Sequence, residues 1–454
     1  MAMKGDEMRN TPICFLQLRG IYRAPFTFFL PAAFLFVLIL PAAAFCESWE
    51  CVGPSGGYFL GSVTNPADAS QVTVITNGPS NVYRSMDAGA NWSKIGEIPT
   101  SYYVLNDMSA FDFSTLYAIT GSQCYRSTDG GITWSSANFA SSASAYRVCV
   151  DPIDSSKVYA VGLEYNGNNR TYSLAFFKST DGGQRWTVSS LFSFDSLYPY
   201  GMAVSRSNPD VIYIAGYKST GGEYYGALFK SSDGGATWAD ISSSVETETY
   251  SFFYSVAVDP DDAEKVYIGG NFCIYCSEGT GRGSDLTWLR IPIQLYTLSI
   301  GVDPVEPSRL YAAGVNIVGN RIAYSVGVST DYGQSWTLHD DCIPSEAVQV
   351  EVAGAAPSTV YISTYNGFFK SIDSGNSWAI AHEGIHATRI TALAVAPSQP
   401  STVIVEYDGC GLMGSYDSGD NWDYLGYFVG CGNVCDILID PDNTDAVLAL
   451  EGSG

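Results

Sequence analysis

Positively charged residues are scarce in this chain of 454 residues. It contains 22 lysines and arginines against 46 aspartates and glutamates, which gives a formal net charge of -24. Nucleic acids and anionic membrane surfaces both reward lysine and arginine, so neither is an expected partner. This balance suits a soluble extracellular protein, or a protein that binds neutral or cationic ligands.

Long stretches with helical periodicity are few, which argues against a helical protein. Tyrosine is abundant instead, with 31 residues, and tyrosine, threonine, valine and isoleucine all favour strands. The length of the chain far exceeds what one minimal core needs, and a repeat array is the economical way to fill it. These properties favour an all-β repeat protein.

The N-terminus has the pattern of a targeting segment. Basic residues precede an apolar run over residues 26–40, and the alanines at 42–44 form a small-x-small cleavage site. We therefore predict a signal peptide over residues 1–44 and an exported protein, which is secreted, periplasmic or at the cell surface. An uncleaved anchor is the alternative, because residues 26–44 approach the length of a membrane span. Only in that case would a membrane be a partner.

Cysteine usage fits export. The chain has 11 cysteines, and loss of Cys14 with the signal peptide leaves an even number. The candidate disulfides are Cys46–Cys51, Cys124–Cys149, Cys273–Cys276, and two among Cys342, Cys410, Cys431 and Cys435.

One motif organises the chain, and its clearest copy, at residues 127–134, reads S-x-D-x-G-x-T-W. Seven copies keep this spacing, a stretched copy runs from 277 to 288, and eight of the nine tryptophans close a copy. In a hairpin turn, the aspartate accepts hydrogen bonds from backbone N–H groups and the glycine supplies a positive φ. We therefore assign a structural role to the aspartates of the regular copies, which are Asp87, Asp129, Asp181, Asp233, Asp331, Asp373 and Asp417.

A second pattern interlocks with the first. An apolar residue, often followed by Asp-Pro, precedes another apolar residue by eight positions, as in Val150 and Val158. Each repeat then reads as strand A, a tight turn, strand B, a loop, strand C, the aspartate turn and strand D. Such four-stranded antiparallel units are typical of β-propeller blades.

We predict an all-β propeller over residues 45–454, with eight complete repeats and a partial ninth. Trp49 would supply strand D of the ninth blade and close the ring. A chain truncated at its C-terminus is the alternative to this closure.

The connections differ between the two ends of the blades. The A–B turn is constant in length, whereas the distance from strand B to the motif serine ranges from 11 to 21 residues. In an up-and-down blade the variable B–C and D–A loops share one face, where a scaffold carries its site. Aromatic residues in these loops could stack on sugar rings or bind a protein, although packing at blade edges is an alternative for each. The candidate ligand-binding residues are Tyr165, Tyr198, Tyr200, Tyr224, Tyr225, Tyr250 and Phe253.

The repeats resemble the Asp-box family, also called BNR repeats. The amino-acid sequence over residues 150–186 is most similar to the xyloglucanase and sortilin-type group. The resemblance implies a propeller with its Asp-boxes on the blade periphery, away from the substrate face. It is compatible with a binding protein and with a glycoside hydrolase. An assembly factor for a membrane complex is a third alternative.

Xyloglucanase-type enzymes use paired carboxylates across a cleft, one of them just after strand B in a Thr-Asp-x-Gly-Gly context. The aspartate is missing from three of the matching places, Thr76-Asn77-Gly78, Thr120-Gly121 and Tyr365-Asn366-Gly367, whereas Tyr407-Asp408-Gly409 retains it. The resemblance therefore makes Asp408, with Glu406 beside it, the catalytic candidates. A turn-capping aspartate is the alternative.

Residues 382–386 match the H-E-x-x-H pattern of zinc metalloproteases, which needs both histidines on one helical face. In this chain the segment follows Trp378, where every repeat runs from strand D into a loop, and Gly384 weakens a helix. We expect no metal site and no cofactor.

The leading hypothesis is an exported, non-catalytic propeller that binds carbohydrate or protein through its B–C/D–A face. A glycoside hydrolase of the xyloglucanase-like group is the alternative. Two carboxylates about 5–10 Å apart across a groove on that face would favour hydrolysis.

Overall fold

The structure is a computed structural model that describes residues 55–78, 80–100, 105–139, 143–168, 170–245, 250–278, 287–318, 321–340, 342–343, 345–387, 390–407, 412–426, 434–440, 443–444 and 446–451. The predicted signal peptide over residues 1–44 lies outside these ranges. So do Trp49, Asp408, Cys46, Cys51, Cys410 and Cys431.

The described residues form β-strands and one short 3₁₀ helix, Ser242–Ser244, so the all-β prediction is confirmed. They contain no apolar helix of membrane-spanning length. The strands of the first four sheets are β1 (Gly56–Asn65), β2 (Asp68–Asn77), β3 (Asn81–Ser85), β4 (Ser93–Glu97), β5 (Asp107–Ala110), β6 (Leu116–Ile119), β7 (Gln123–Ser127), β8 (Ser135–Asn138), β9 (Ser144–Val150), β10 (Val158–Asn166), β11 (Thr171–Ser179), β12 (Thr187–Phe194), β13 (Ser196–Val204), β14 (Ile212–Thr220), β15 (Glu223–Ser231) and β16 (Ala239–Asp240).

The remaining strands continue this pattern with one irregularity. They are β17 (Phe253–Val258), β18 (Val266–Ser277), β19 (Trp288–Val302), β20 (Leu310–Val318), β21 (Arg321–Ser329), β22 (Thr337–His339), β23 (Ala347–Val352), β24 (Val360–Thr364), β25 (Gly367–Ser371), β26 (Ala379–Ile380), β27 (His386–Ala387), β28 (Ile390–Val395), β29 (Val403–Tyr407), β30 (Leu412–Ser415), β31 (Asp423–Gly426), β32 (Val434–Ile439) and β33 (Val447–Glu451).

The fifth and sixth repeats share one six-stranded sheet, in the order β17-β18-β19-β20-β21-β22. The long strand β18 folds back on itself, because Val266 N donates to Ser277 Oγ at 2.7 Å. Its first half pairs with β17 and its second half with β19. β18 therefore supplies strands B and C of the fifth repeat, and β19 supplies strand D of the fifth and strand A of the sixth.

The predicted eight-residue interval between strands A and B is an antiparallel register. Val150 lies opposite Val158, and Val258 opposite Val266. The side chains of strands A and B alternate between two faces, as a sheet buried on both sides requires. Hydrophobic clusters consequently lie between successive sheets.

The Asp-box is a closed hydrogen-bonded turn. In the copy at residues 127–134, Asp129 Oδ1 accepts from Thr133 N at 2.9 Å, and Ser127 Oγ accepts from Gly131 N at 2.8 Å. Trp134 Nε1 donates to the oxygen of Gly131 at 3.1 Å. Gly130 N donates to Ser114 O in the A–B turn at 2.8 Å, so A–B and C–D turns lie at the same end of the blade.

Two successive residues of the box, rather than one, have positive φ. The second is glycine in every regular copy, as at Gly131 with φ 96°. The first tolerates a side chain, as at Ala88, Tyr332 and Ser374. The difference has a packing cause, because a Cβ at Gly131 would come within 2.7 Å of Val82 on the preceding sheet.

The same cationic contact joins neighbouring sheets. Arg84 Nη2 donates to the backbone oxygen of Gly130 at 2.7 Å, and Lys178 Nζ donates to that of Gly234 at 2.8 Å. Lys370 in the seventh repeat makes the equivalent bond to Ala88 of the first repeat, at 3.0 Å. Each strand A contacts the next, from β1 through β5, β9, β13, β17 and β19 to β23, and β23 contacts β1.

The contacts divide the chain into two compact units, residues 55–389 and a unit that includes residues 390–454. The first holds seven four-stranded repeats, and the second holds one four-stranded repeat and the pair β32–β33. The first sheet thus packs on the seventh, where a single array of nine repeats would have placed it on the last. The expected closure through Trp49 stays a prediction.

Two of the predicted disulfides are wrong. Cys124, Cys149, Cys273 and Cys276 are all free thiols. Cys273 and Cys276 lie three residues apart on one strand and enter two different hydrophobic clusters, because side chains three apart on a strand point to opposite faces. Likewise, the neighbours of Cys149 face the cluster that holds Cys124, so Cys149 itself faces away.

Candidate functional site

The B–C and D–A connections of the 55–389 unit lie at the end opposite the Asp-boxes. Strand A of each repeat begins at this end and finishes at the A–B turn. Tyr198 and Tyr200 lie in the first half of β13, Tyr224 lies at the start of β15, and Tyr250 lies in the connection that leads to β17. The structure brings these four candidates together.

They belong to a continuous set of aromatic rings, which we call the aromatic strip. Its members are Tyr146, Tyr198, Tyr200, Tyr217, Tyr224, Tyr250, Phe252, Tyr254, Phe272 and Tyr296. Along its inner edge, ring centroids are 5.0 Å apart for Tyr146 and Tyr198 and 4.9 Å for Tyr198 and Tyr200. The line continues to Tyr254 at 5.3 Å and from there to Tyr296 at 6.4 Å. The strip crosses from the third repeat to the sixth.

The outer members of the strip are held in a conformation that side chains rarely adopt. Tyr250 has φ 66° and Phe272 has φ 55°, and their side chains are 60% and 38% exposed. Tyr250 N donates to Tyr224 O at 2.7 Å, and the Asn271 side chain bridges Tyr250 O and Phe252 N at 3.2 Å each. Strained backbone that the surroundings fix in this way is characteristic of functional surfaces.

Arg147 organises the inner edge of the strip. It lies on β9, and its Nε donates to Tyr200 O at 2.5 Å while Nη1 donates to Tyr146 O at 3.0 Å. One guanidinium therefore ties strand A of the third repeat to strand A of the fourth, and fixes the spacing of the tyrosines that those strands carry.

Burial raises the pKa of three tyrosines of the strip. Burial, followed by the neighbouring Tyr200 and Tyr296, raises the pKa of Tyr254 to about 12. Burial also raises the pKa of Tyr146 and of Tyr200. These three side chains consequently present apolar ring faces and neutral hydroxyl groups.

The other predicted aromatics lie elsewhere. Tyr165 pairs with Tyr172, with centroids 5.1 Å apart, on the hairpin of the third repeat, and the Tyr225 hydroxyl donates to Glu223. Phe253 was wrongly chosen, because it is fully buried in the cluster between the fourth and fifth repeats. Side chains alternate along β17, so Phe252 and Tyr254 face the strip while Phe253 faces the core.

At one of the four places that match the strand-B aspartate of xyloglucanases, the side chain has a structural role. Asn77 ends β2, its Nδ2 donates to Leu105 O at 2.8 Å, and its Oδ1 accepts from Leu105 N at 2.8 Å. A carboxylate could accept from that N–H but could not donate to that oxygen. The amide thus acts as a clamp between the first and second repeats.

Two carboxyl groups that the sequence did not indicate lie at the same end of the unit. Burial raises the pKa of Asp107 against the opposing charge of Arg147, and Asp107 Oδ2 accepts from Val148 N at 2.9 Å. Burial likewise raises the pKa of Glu346, just before β23. Raised pKa values are a property of general acids, although structural carboxyls share it.

Of the two catalytic candidates in the second unit, the structure describes only Glu406. Glu406 lies on β29 with 1% of its surface exposed, and Asp408 lies outside the described residues. Residues 382–386 form no helix. His382 is buried, and its Nδ1 accepts from Phe368 N at 2.9 Å, while His386 begins β27, which pairs with β1. The described residues contain no cluster of three or more potential metal ligands.

Six of the ten residues of the strip were not among the sequence candidates. Tyr146, Tyr217 and Tyr296 lie within strands, and Phe272 lies at the tip of the hairpin inside β18. Alternation could have found another part of the pattern, since Phe252 and Tyr254 are two positions apart where the chain enters β17. No local signal identifies Arg147, whose bond to Tyr200 O joins it to another strand.

Comparisons with known proteins agree with the repeat pattern. A model of the Sortilin family, described as "Sortilin, neurotensin receptor 3", matches residues 80–219 and 122–271. The xyloglucanase Xgh74A of Acetivibrio thermocellus is 26% identical over 216 residues, which are 39% of this chain and 24% of that protein. The vacuolar protein sorting/targeting protein 10 of Verticillium alfalfae is 35% identical over 69 residues, 15% of this chain and 5% of that protein.

Solved structures of similar fold include the GH74 enzyme of Niastella koreensis. It superposes with a TM-score of 0.59 at 18% identity, over 88% of this chain and 70% of that one. This likeness shows a propeller-type fold. The alignment with the xyloglucanase from Acetivibrio thermocellus spans only about a quarter of that enzyme's length.

Proposed function

Because the chain carries the repeats of the Asp-box propeller group that includes xyloglucanases and sortilin-type proteins, we propose that it binds a neutral carbohydrate polymer along the aromatic strip. The continuity of the strip carries this proposal. Sugar rings present apolar faces and hydroxyl edges, and tyrosine offers an apolar ring with a polar tip to each. A surface of neighbouring rings from four repeats suits an extended ligand better than a single sugar.

The same site supports binding without hydrolysis. Asn77 occupies one of the places where the resemblance would put a catalytic aspartate, and Leu105 occupies both ends of its amide. We therefore propose that the 55–389 unit holds a glycan chain and leaves its bonds intact. A protein ligand on the strip is the alternative outcome of the same binding screen.

The test is a binding screen on the full chain, with xyloglucan and other neutral polysaccharides as probes, followed by calorimetry with the best ligand. Tyr250→Ala and Tyr224→Ala should each weaken binding about tenfold, since a lost aromatic contact is worth about 0.5–1.5 kcal/mol. Tyr165→Ala is the matched control, because Tyr165 is also an exposed tyrosine but lies outside the strip. Equal losses in all three variants would contradict the proposal, and so would binding to proteins alone.

A second candidate function is glycoside hydrolysis. The observation that favours it is the pair Asp107 and Glu346, whose pKa values are both raised at the end that carries the strip. Release of reducing ends from a polysaccharide would support this alternative and overturn the non-catalytic proposal. Loss of that release in Asp107→Asn, with folding and glycan binding intact, would identify the acid. Asp408→Asn and Glu406→Gln test the candidates in the second unit.

We also propose that the 55–389 unit is a complete seven-bladed propeller. The bond from Lys370 to Ala88 repeats the contact between other neighbouring sheets, which supports closure of the seventh blade on the first. A fragment of residues 55–389 should then unfold cooperatively, within a few degrees of the full chain. Aggregation of the fragment, or broad non-cooperative melting, would argue for a larger ring.

A further inference from the structure

A cavity of about 400 Å³ lies at the end of the 55–389 unit opposite the aromatic strip. Its walls come from the first, second, fourth, sixth and seventh repeats, at the points where their A strands reach the A–B turns. Phe111, Val305 and Val352 supply apolar surface. Five A strands converge on one hollow, whose volume lies within the range of small-molecule sites.

Glu351 supplies a carboxyl group to this cavity from β23. Its Oε1 accepts from Thr64 N at 3.3 Å and from Thr64 Oγ1 at 3.1 Å. Among the described residues, no cation forms an ion pair with Glu351 and no donor reaches Oε2. Burial raises the pKa of this carboxyl to about 7, because the group is removed from water and has no positive partner.

Arg206 reaches the cavity from the fourth repeat, just after β13. Its guanidinium makes no hydrogen bond or ion pair within the described part of the chain, although two carboxyl groups line the same walls. The second carboxyl, Asp112, has its Oδ1 occupied by Ser114 N at 2.9 Å and Thr115 N at 2.6 Å. The cavity therefore presents one carboxyl and one guanidinium that do not satisfy each other.

We propose that this cavity binds a small zwitterion, whose ammonium group contacts Glu351 and whose carboxylate contacts Arg206. Opposite charges that do not satisfy each other select a ligand with both charges, since each ligand charge then finds a charge-assisted hydrogen bond. The carboxylate of the ligand matches the planar fork of Arg206. The apolar side chains that line the cavity suit an aliphatic spacer. The site is independent of the aromatic strip.

The alternatives fit these residues less well. A divalent cation would require several oxygen ligands, whereas only one carboxyl here is free of turn hydrogen bonds, and Arg206 would repel the ion. A simple anion would leave Glu351 unpaired in its buried place, and a simple amine would leave Arg206 unpaired. A ligand that carries both charges pairs with both Glu351 and Arg206.

Calorimetry on the full chain with a series of ω-amino acids tests the proposal. The probes run from glycine through 4-aminobutanoate to 6-aminohexanoate at pH 8, with the alkylamine and alkanoate of equal length as singly charged controls. One chain length should bind best, and each singly charged analogue should bind at least tenfold more weakly. Equal binding of an amine and its zwitterion would overturn the assignment, and so would the absence of binding by every probe.

Matched variants locate the site. Glu351→Gln keeps an oxygen for Thr64 but removes the charge, and Arg206→Gln removes the guanidinium from an exposed position. Each should lower zwitterion affinity at least tenfold. Arg185→Gln, at an exposed Asp-box position, should leave it unchanged. Glycan binding should survive both cavity variants, so the failure of this proposal is distinguishable from failure of the proposed function. Unchanged zwitterion affinity in either cavity variant would contradict the site.

The pH dependence gives an independent readout. Thr64, Asp112 and Arg206 are the polar residues that line the cavity together with Glu351. Because Glu351 ionises as the pH rises through about 7, zwitterion affinity should increase between pH 6 and pH 8. Glu351→Gln should abolish that increase. The raised pKa of Glu351 also means that its ionised form lowers the stability of the native protein at pH 8. Glu351→Gln should therefore melt at a higher temperature than the wild type at pH 8. The same melting curve verifies that the variant folds.

Discussion

The two ends of the 55–389 unit differ in how they use the same strands. At the Asp-box end, the same hydrogen bonds recur in repeat after repeat, from glycine N–H to serine Oγ and from tryptophan Nε1 to glycine oxygen. At the other end, the strip draws different residues from four neighbouring repeats. The comparison indicates that repetition secures the scaffold, whereas departure from repetition creates the aromatic strip, which we propose as a ligand-binding surface.

Positive φ angles show where packing requires glycine. At the second positive-φ position of the box, a side chain would collide with the preceding sheet, and glycine occupies it, as at Gly131. The first such position of the box and the strip instead carry side chains at left-handed angles, as at Tyr332, Tyr250 and Phe272. Both ends therefore contain left-handed residues, and close packing is what requires glycine at the second box position.

Acid should destabilise the Asp-box end, and we expect this to be the largest effect on stability. Hydrogen bonds, chiefly from the residue four positions further on, lower the pKa of Asp87, Asp129 and Asp373 to about 2. An unfolded aspartate has a pKa of about 3.9. The stability that these groups provide is therefore complete above about pH 4 and is lost as the pH falls toward 2. Melting temperatures recorded from pH 5 to pH 2 should fall steeply across that window. A flat profile would show that the boxes contribute little.

Replacing one Asp-box glycine with alanine should have the next largest effect on stability. Gly131→Ala combines a left-handed φ with a Cβ within 2.7 Å of Val82, and we expect a loss of about 2–4 kcal/mol in the free energy of unfolding. Gly222→Ala is the matched control at the strip end, because Gly222 has φ 85° but no atom within 4 Å of its Cβ. It should lose only about 1 kcal/mol from φ strain. Similar losses in urea titrations of the two variants would refute the packing argument.

Removal of one box hydroxyl should follow in size. Ser127→Ala removes the acceptor of Gly131 N and one of the donors to Asp129, the Ser127 hydroxyl. This should reduce the free energy of unfolding by about 1–3 kcal/mol. Ser190→Ala is the control, because Ser190 is an exposed serine that bonds Glu164 in another part of the blade. Its denaturation midpoint should stay at the wild-type value. A control loss as large as that of Ser127→Ala would contradict this difference.

The contact between the seventh and first sheets predicts a smaller change. Lys370→Met removes the bond to Ala88 O and keeps the aliphatic stem, at an expected loss of about 1 kcal/mol. Lys178→Met removes the equivalent bond to Gly234 O and should lose the same amount. Agreement between the two would support closure of the ring at this point. An effect at Lys178 alone would argue that the seventh and first sheets do not meet in solution.

The strip end should respond least in stability and most in binding. Tyr250→Gly removes an exposed ring and accommodates φ 66° without strain, so the melting temperature should stay within about 2 °C or rise slightly. Glycan affinity should nevertheless fall about tenfold. A large drop in melting temperature would mean that Tyr250 is a structural residue, and the contrast between the two ends would then fail.

Local patterns predicted the repeat unit well. The interval from Val150 to Val158 was a strand register because both residues belong to one hairpin, whose turn length sets the pairing. The box hydrogen bonds span four residues, so a short sequence motif contains all of their partners. The candidate site was predicted in part, since Tyr198, Tyr200, Tyr224 and Tyr250 meet. Phe253 faces the core instead, because side chains alternate along β17, and the prediction did not take this alternation into account.

By itself, then, the sequence determined the all-β class, the order of strands and the turn chemistry of each blade, because those interactions form between residues close together in the chain. The tertiary structure decided which sheets meet. The bond from Lys370 to Ala88 joins residues 282 positions apart, and depends on the twist and packing angle summed over seven sheets. The aromatic strip and the cavity with Glu351 and Arg206 have the same origin. Each gathers side chains from several repeats, and only the curvature of the whole array brings them together.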